Sequence, residues 1–119
     1  MDLAPEIDPA ALATLQRIGG DKFVAEMIDV FLRYVPQLMA EARSGLASGN
    51  LEPLARAGHT LKSSAGHLGA RSVQAVALRI EQAAARKDAE AIRLLLAEME
   101  ETYAKAKVRL EEARRYLSV

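Results

Sequence analysis

The chain has 119 residues, with sixteen basic and sixteen acidic side chains, a formal net charge of zero and no cysteine. Balanced charge without a long block of either sign lacks the electrostatic footprint of a nucleic-acid binder, and the missing cysteines exclude disulfides and thiolate metal sites. Half the residues are hydrophobic but only 4% are aromatic, so the core must be built from Leu, Ile, Val, Ala and Met.

By length this is a single domain, residues 1–119, large enough for one core without staples. The opening Met1-Asp2-Leu3-Ala4-Pro5-Glu6 carries acids where an export signal would carry basic residues followed by an apolar stretch. No run approaches the ~18 apolar residues of a membrane span. The expectation is a cytoplasmic protein with no membrane partner. An initiating Met1 and a nearly complete set of helices favour a free-standing protein over a piece of a larger kinase.

Asp8-Pro9 before Ala10 to Ile18, closed by Gly19-Gly20, predicts a short helix with an aspartate cap, a proline in its first turn and a glycine stop. Asp21 is placed to cap a second helix through Phe23, Met27, Phe31, Val35 and Leu38, fading near Gly45 to Gly49, with a kink at Pro36. Its apolar residues, which also include Val24, Ile28, Val30 and Tyr34, are too many for a narrow core stripe, so some are expected at the surface. A third helix begins near Asn50, takes Pro53 in its first turn and ends at a left-handed Gly69.

The next helix starts between Ala70 and Ser72, with Val73, Val76, Ala77, Ile80 and Ala84 on its apolar face, and closes at Arg86-Lys87-Asp88. Asp88 caps the last and longest, in which Ile92, Leu95, Met99, Tyr103, Ala106, Leu110, Ala113 and Leu117 recur every three or four residues. Strand alternation is absent. The pattern predicts an all-α fold: an antiparallel up-down-up-down four-helix bundle with a short N-terminal covering helix.

The third helix holds the residue that matters most. At about 100° per residue, Leu54, Ala57, Leu61, Ala65 and Leu68 cluster roughly 200° from His59, which therefore points away from the core. Ala55, Lys62, Ser63 and Gly66 fall within roughly 60° of it. One cation and three small residues ring the imidazole, leaving clearance for a macromolecular partner, and an exposed neutral imidazole is a competent nucleophile. Glycine inside a helix costs about 1 kcal/mol against alanine, so Gly58 and Gly66 need reasons. Close approach of a neighbouring helix suits Gly58, and access for a partner suits Gly66.

His67 lies about 80° round the helix from His59 and lacks that ring; it reads as a polar residue near a helix terminus. Two histidines two turns apart with no third ligand do not make a metal site. Ser63 and Ser64 have no acid-base partner, which argues against a hydrolase.

The run His59-x-Leu61-Lys62-x-Ser64-x-Gly66-x-Leu68-Gly69 resembles the signature of histidine-containing phosphotransfer (HPt) domains, the carriers of two-component phosphorelays. The resemblance extends to Phe31-Leu32-x-x-x-Pro36-x-Leu38 upstream, and to Ile80-Glu81, Lys87-Asp88 and the long final helix downstream. One position departs from it, Ser63, where the family usually has glycine.

The resemblance implies a phosphocarrier rather than an enzyme. His59 would accept a phosphoryl group from a receiver-domain aspartyl phosphate and pass it to another receiver, with Lys62 supporting the phosphoryl group and Ala55, Ser63 and Gly66 giving access. It further implies no cofactor of the chain's own, since the partner receiver supplies the acidic pocket and Mg²⁺. The implied partners are receiver domains of response regulators or a hybrid sensor kinase, docking on the second and third helices around His59, and the carrier is expected to be a monomer. Two alternatives stay open. One is a non-phosphorylated helical module that binds and inhibits a signalling partner; the other is a kinase dimerisation domain without its ATPase module, which would have to be dimeric.

Overall fold

The computed structural model describes residues 6–119; the expectation that the first residues carry no export signal falls largely on Met1–Pro5, outside the described residues. Four α-helices and no strand make up the described chain: α1 (Pro9–Ser48), α2 (Glu52–His67), α3 (Arg71–Ala85) and α4 (Ala89–Arg115). The helices pack in a ring, α1 on α2, α2 on α3, α3 on α4 and α4 on α1. Their apolar stripes meet along the middle, where Ile28, Leu54, Leu61, Val73, Ile80, Ile92, Met99 and Leu110 are fully buried. No charged or polar side chain is buried among the described residues, as expected of a core assembled from aliphatic stripes alone. None of these helices is long and apolar enough to cross a membrane.

The helix ends follow local chemistry. The Asp8 side chain accepts from the N–H of Ala10, Asn50 accepts from Glu52, and Asp88 accepts from Ala91, each satisfying a donor that an α-helix leaves free in its first turn. Gly49 and Gly69 close α1 and α2 in the left-handed region, with φ of 77° and 73°. Asp8 also receives the Arg71 guanidinium at 2.6 Å, and its N–H donates to the Gly69 carbonyl at 2.9 Å. The start of the described chain is thereby fastened to the turn between α2 and α3.

Helix α1 departs from the sequence pattern in two ways. A stop is predicted at Gly19-Gly20; only Gly20 is non-helical (φ 77°, ψ −176°), and helix resumes at once, so a single 40-residue span runs across one break. Glycine alone takes this backbone cheaply. Asp21, expected as a cap, instead accepts from the Gln16 amide and from the N–H of Ser118 at 2.9 Å, tying the break to the far end of α4.

Helical dihedrals continue through Pro36, where the sequence leads one to expect a kink. Proline has no N–H for the carbonyl four residues earlier, that of Leu32. The hydroxyl of Tyr103 on α4 donates to that carbonyl at 3.2 Å, and its ring lies 6.1 Å from that of Phe31. The acceptor orphaned by Pro36 thus becomes a bond between α1 and α4. Farther along the same pair of helices, Arg114 grips Asp29 with two bonds of 2.7 and 2.8 Å.

Tyr103→Phe is expected to cost about 1 kcal/mol in urea denaturation, the net worth of one hydrogen bond. In a Pro36→Ala background residue 36 supplies its own N–H to Leu32, and the cost of Tyr103→Phe should shrink; a double-mutant cycle measures the difference.

Candidate functional site

Helix α2 is amphipathic, with Leu54, Ala57, Leu61 and Ala65 buried and Leu68 just beyond its end also buried. The opposite strip carries His59, whose side chain is 70% exposed. Gly58, one residue earlier, faces α3 and is buried. A Cβ placed there would lie 2.9 Å from both the Ala77 carbonyl oxygen and the Glu81 nitrogen. The close approach expected at Gly58 is therefore present, and backbone meets backbone at this point.

That contact brings Glu81 of α3 alongside the histidine. Its Oε2 lies 3.0 Å from His59 Nδ1, and its Oε1 accepts from Lys62 Nζ at 2.7 Å. Glu81 is held below the ordinary carboxylate range, first by the hydrogen bond from Lys62 and then by that from His59, with desolvation opposing both. It is therefore ionised at neutral pH, and an ionised carboxylate only accepts. The neutral His59 ring must carry its proton on Nδ1, leaving a bare lone pair on Nε2. The two nitrogens face nearly opposite sides of the ring, so Nε2 points away from Glu81.

Glu81 is the site residue that sequence reasoning passed over, naming it only within a resembling stretch. The signal was present: Glu81 borders the apolar face of α3 next to Ile80, and Gly58 demanded a close neighbour. Lys62 is where the pattern puts it, but its ammonium is paired with Glu81 rather than free. Ala55 is partly buried against the core, and Ser63 is exposed. Gly66 is less open than expected, because the Gln74 amide of α3 covers it and would lie 2.5 Å from an added Cβ.

On the side of α2 facing α1 lies an apolar groove of about 240 Å³, lined by Met27, Val30, Tyr34 and Leu38 of α1 and by Thr60, Ser64 and His67 of α2, among others. Val30 and Tyr34 are 42% and 51% exposed; they belong to the surplus of apolar residues that the core could not absorb. His67 sits at this groove rather than beside a third ligand. No group of three His, Asp or Glu side chains among the described residues is arranged to hold a metal ion.

A helical bundle with an exposed, carboxylate-oriented histidine beside an apolar groove is the form of a phosphotransfer carrier. The family model of the Hpt domain matches residues 26–115, and the chain belongs to that family. Hpt domains are phosphorelay carriers that work with receiver domains and kinases, not enzymes with a turnover of their own. The structure also superposes on the crystal structure of histidine-containing phosphotransfer protein B (HptB) from Pseudomonas aeruginosa PAO1. The TM-score is 0.89 over 97% of this chain and 99% of that one, at 22% sequence identity, which shows a shared fold. No curated protein sequence matches the chain.

Because Lys62 is the largest cause of Glu81's low pKa, Lys62→Met should move Glu81 back toward the ordinary carboxylate range, and His59→Gln should move it less; carboxyl NMR titration reads both. A depressed pKa contributes stability that is fully present above the unfolded-state value and lost as pH falls through the folded-state value. The stability gap between wild type and Lys62→Met should accordingly close on acidification below that range.

Proposed function

We propose that His59 is the phosphoacceptor, taking a phosphoryl group from the aspartyl phosphate of one receiver domain and delivering it to an aspartate of another. The observation that carries this reading is the His59 Nδ1 to Glu81 contact of 3.0 Å on a ring that is 70% exposed. It turns an ordinary surface imidazole into one with a fixed tautomer and a free, outward nucleophilic nitrogen.

In the step itself, the Nε2 lone pair attacks phosphorus and the P–O bond to the aspartate breaks with its electron pair remaining on the carboxylate. The N–P bond forms, and the Nδ1 proton stays where it is. The ring gains positive charge, which the Glu81 carboxylate offsets. Transfer to the second receiver is the same step reversed. Lys62 holds Glu81 in place and leaves its ammonium near enough to temper phosphoryl charge through space. The small Ala55 and Ser63 leave the partner room to approach, whereas Gly66 lies under Gln74.

The receiver supplies the acidic pocket and Mg²⁺ in this reading, and the chain brings no cofactor. The groove between α1 and α2, adjacent to His59, receives an apolar face of the receiver, as its lining by Met27, Val30, Tyr34 and Leu38 supports. In this reading residues 1–119 act as one cytoplasmic, monomeric domain. Short connections between neighbouring helices support an antiparallel up-down-up-down arrangement, with the segment before Gly20 as its cover.

Incubation with a phosphorylated receiver should give an acid-labile, alkali-stable label that is lost in His59→Gln and kept in His67→Gln; label surviving His59→Gln contradicts the assignment. Val30→Asp, at an exposed position in the groove, should slow transfer from the receiver about tenfold or more, the equivalent of ~1.4 kcal/mol. It should leave direct labelling by the small donor phosphoramidate unchanged.

A further inference from the structure

Ser63 lies one helical turn after His59 on the same exposed strip, at the i,i+4 spacing that makes side chains on a helix neighbours. Hydroxyls inside helices commonly bond back to a carbonyl of the preceding turn. Thr14 does so with Ala10, and Ser48 with Gly45. The Ser63 hydroxyl has no hydrogen-bond partner among the described residues.

The cation one would expect to serve a phosphoryl group is otherwise engaged. Lys62 Nζ is 2.7 Å from Glu81 Oε1 and lies on the α3 side of the ring. Glu81 takes Nδ1 on that same side, which turns Nε2 toward the other flank. By the helical advance, Ser63 is on that other flank and Lys62 is not. A helical side chain leans toward the N-terminus, so the Ser63 hydroxyl leans back toward His59. The phosphorus atom, one bond beyond Nε2, carries its oxygens outward by a further bond.

We infer that the Ser63 hydroxyl is this chain's own hydrogen-bond donor to the phosphoryl group on His59 Nε2. It makes the phosphorylated carrier longer-lived and a slightly weaker donor than the same protein without the hydroxyl. This rests on His59 being the phosphoacceptor. In the unphosphorylated structure His59 bonds Glu81 and not this hydroxyl, so the Ser63 bond is one that the phosphoryl oxygens bring within reach. A glycine here would offer the partner equal or better access but no donor. Clearance and bonding are therefore separable by substitution.

The experiment labels wild type, Ser63→Ala, Ser63→Gly and Ser63→Thr with phosphoramidate, without any partner, and follows the phosphohistidine by ³¹P NMR. Loss of one donor to a charged acceptor should speed hydrolysis about three- to tenfold in Ser63→Ala, and equally in Ser63→Gly. Ser63→Thr, which keeps the hydroxyl, should stay near wild type. The donor should also favour the fully ionised phosphoryl group, so its last protonation in a pH titration should occur at lower pH in wild type than in Ser63→Ala. Lifetimes and titrations equal in wild type and Ser63→Ala overturn the inference. So does a change seen in Ser63→Gly but not in Ser63→Ala, which would make bulk and helix propensity the cause. Failure of wild type to label, or label persisting in His59→Gln, overturns the phosphoacceptor reading itself.

Discussion

At Gly58 two helices touch backbone to backbone, and everything particular to the site follows from that separation. With 2.9 Å from a would-be Cβ to the Ala77 carbonyl and to the Glu81 nitrogen, no side chain fits between α2 and α3. The neighbouring residues are drawn to matching heights. His59 and Lys62 on α2 and Glu81 on α3 then fall within single hydrogen bonds of one another. A wider separation would leave three separately solvated side chains with little attraction between them. At this one, the carboxylate is shared by two donors and orients the ring. The glycine's cost in helix propensity is offset where the two helices meet.

The same helix α2 divides two environments. Toward α3 its border is polar and bonded, with Lys62 on Glu81 and the Gln74 amide over Gly66. Toward α1 it is apolar and open, with Val30 and Tyr34 exposed beside Thr60 and His67. One flank orients the His59 ring and the other leaves apolar surface open to solvent. The long helix α1 that forms the second wall is in turn fixed to α4, by Arg114 on Asp29 and by Tyr103 on the carbonyl that Pro36 leaves unpartnered. Support for the groove therefore comes from the side of the bundle opposite the histidine.

Much of this was legible in the sequence, because helical periodicity reports burial directly. The apolar positions expected on α2, Leu54, Ala57, Leu61, Ala65 and Leu68, are all buried, as are Val73, Val76, Ala77, Ile80 and Ala84 on α3. The exposure of His59 follows from the same arithmetic. What escaped was every feature that depends on which helix lies beside which. Glu81 is 22 residues from His59, and periodicity shows its side of α3 without showing what faces it. Tyr103 reads as core by spacing, and its bond to Leu32 needs the neighbour to be known. Gly66 reads as clearance only until Gln74 is seen above it. At Gly20 the local signal was correct about an interruption and wrong about its reach, since a single residue absorbs the turn and helix resumes.

The account turns on the tautomer of one ring. Long-range ¹H–¹⁵N correlation spectra of the neutral His59 side chain test it without a partner or a phosphate donor, and the exposed His67 serves as reference in the same spectrum. The account predicts a protonated Nδ1 and a bare Nε2 for His59, distinct from the pattern of His67. A proton on Nε2, or a spectrum for His59 indistinguishable from that of His67, would contradict it.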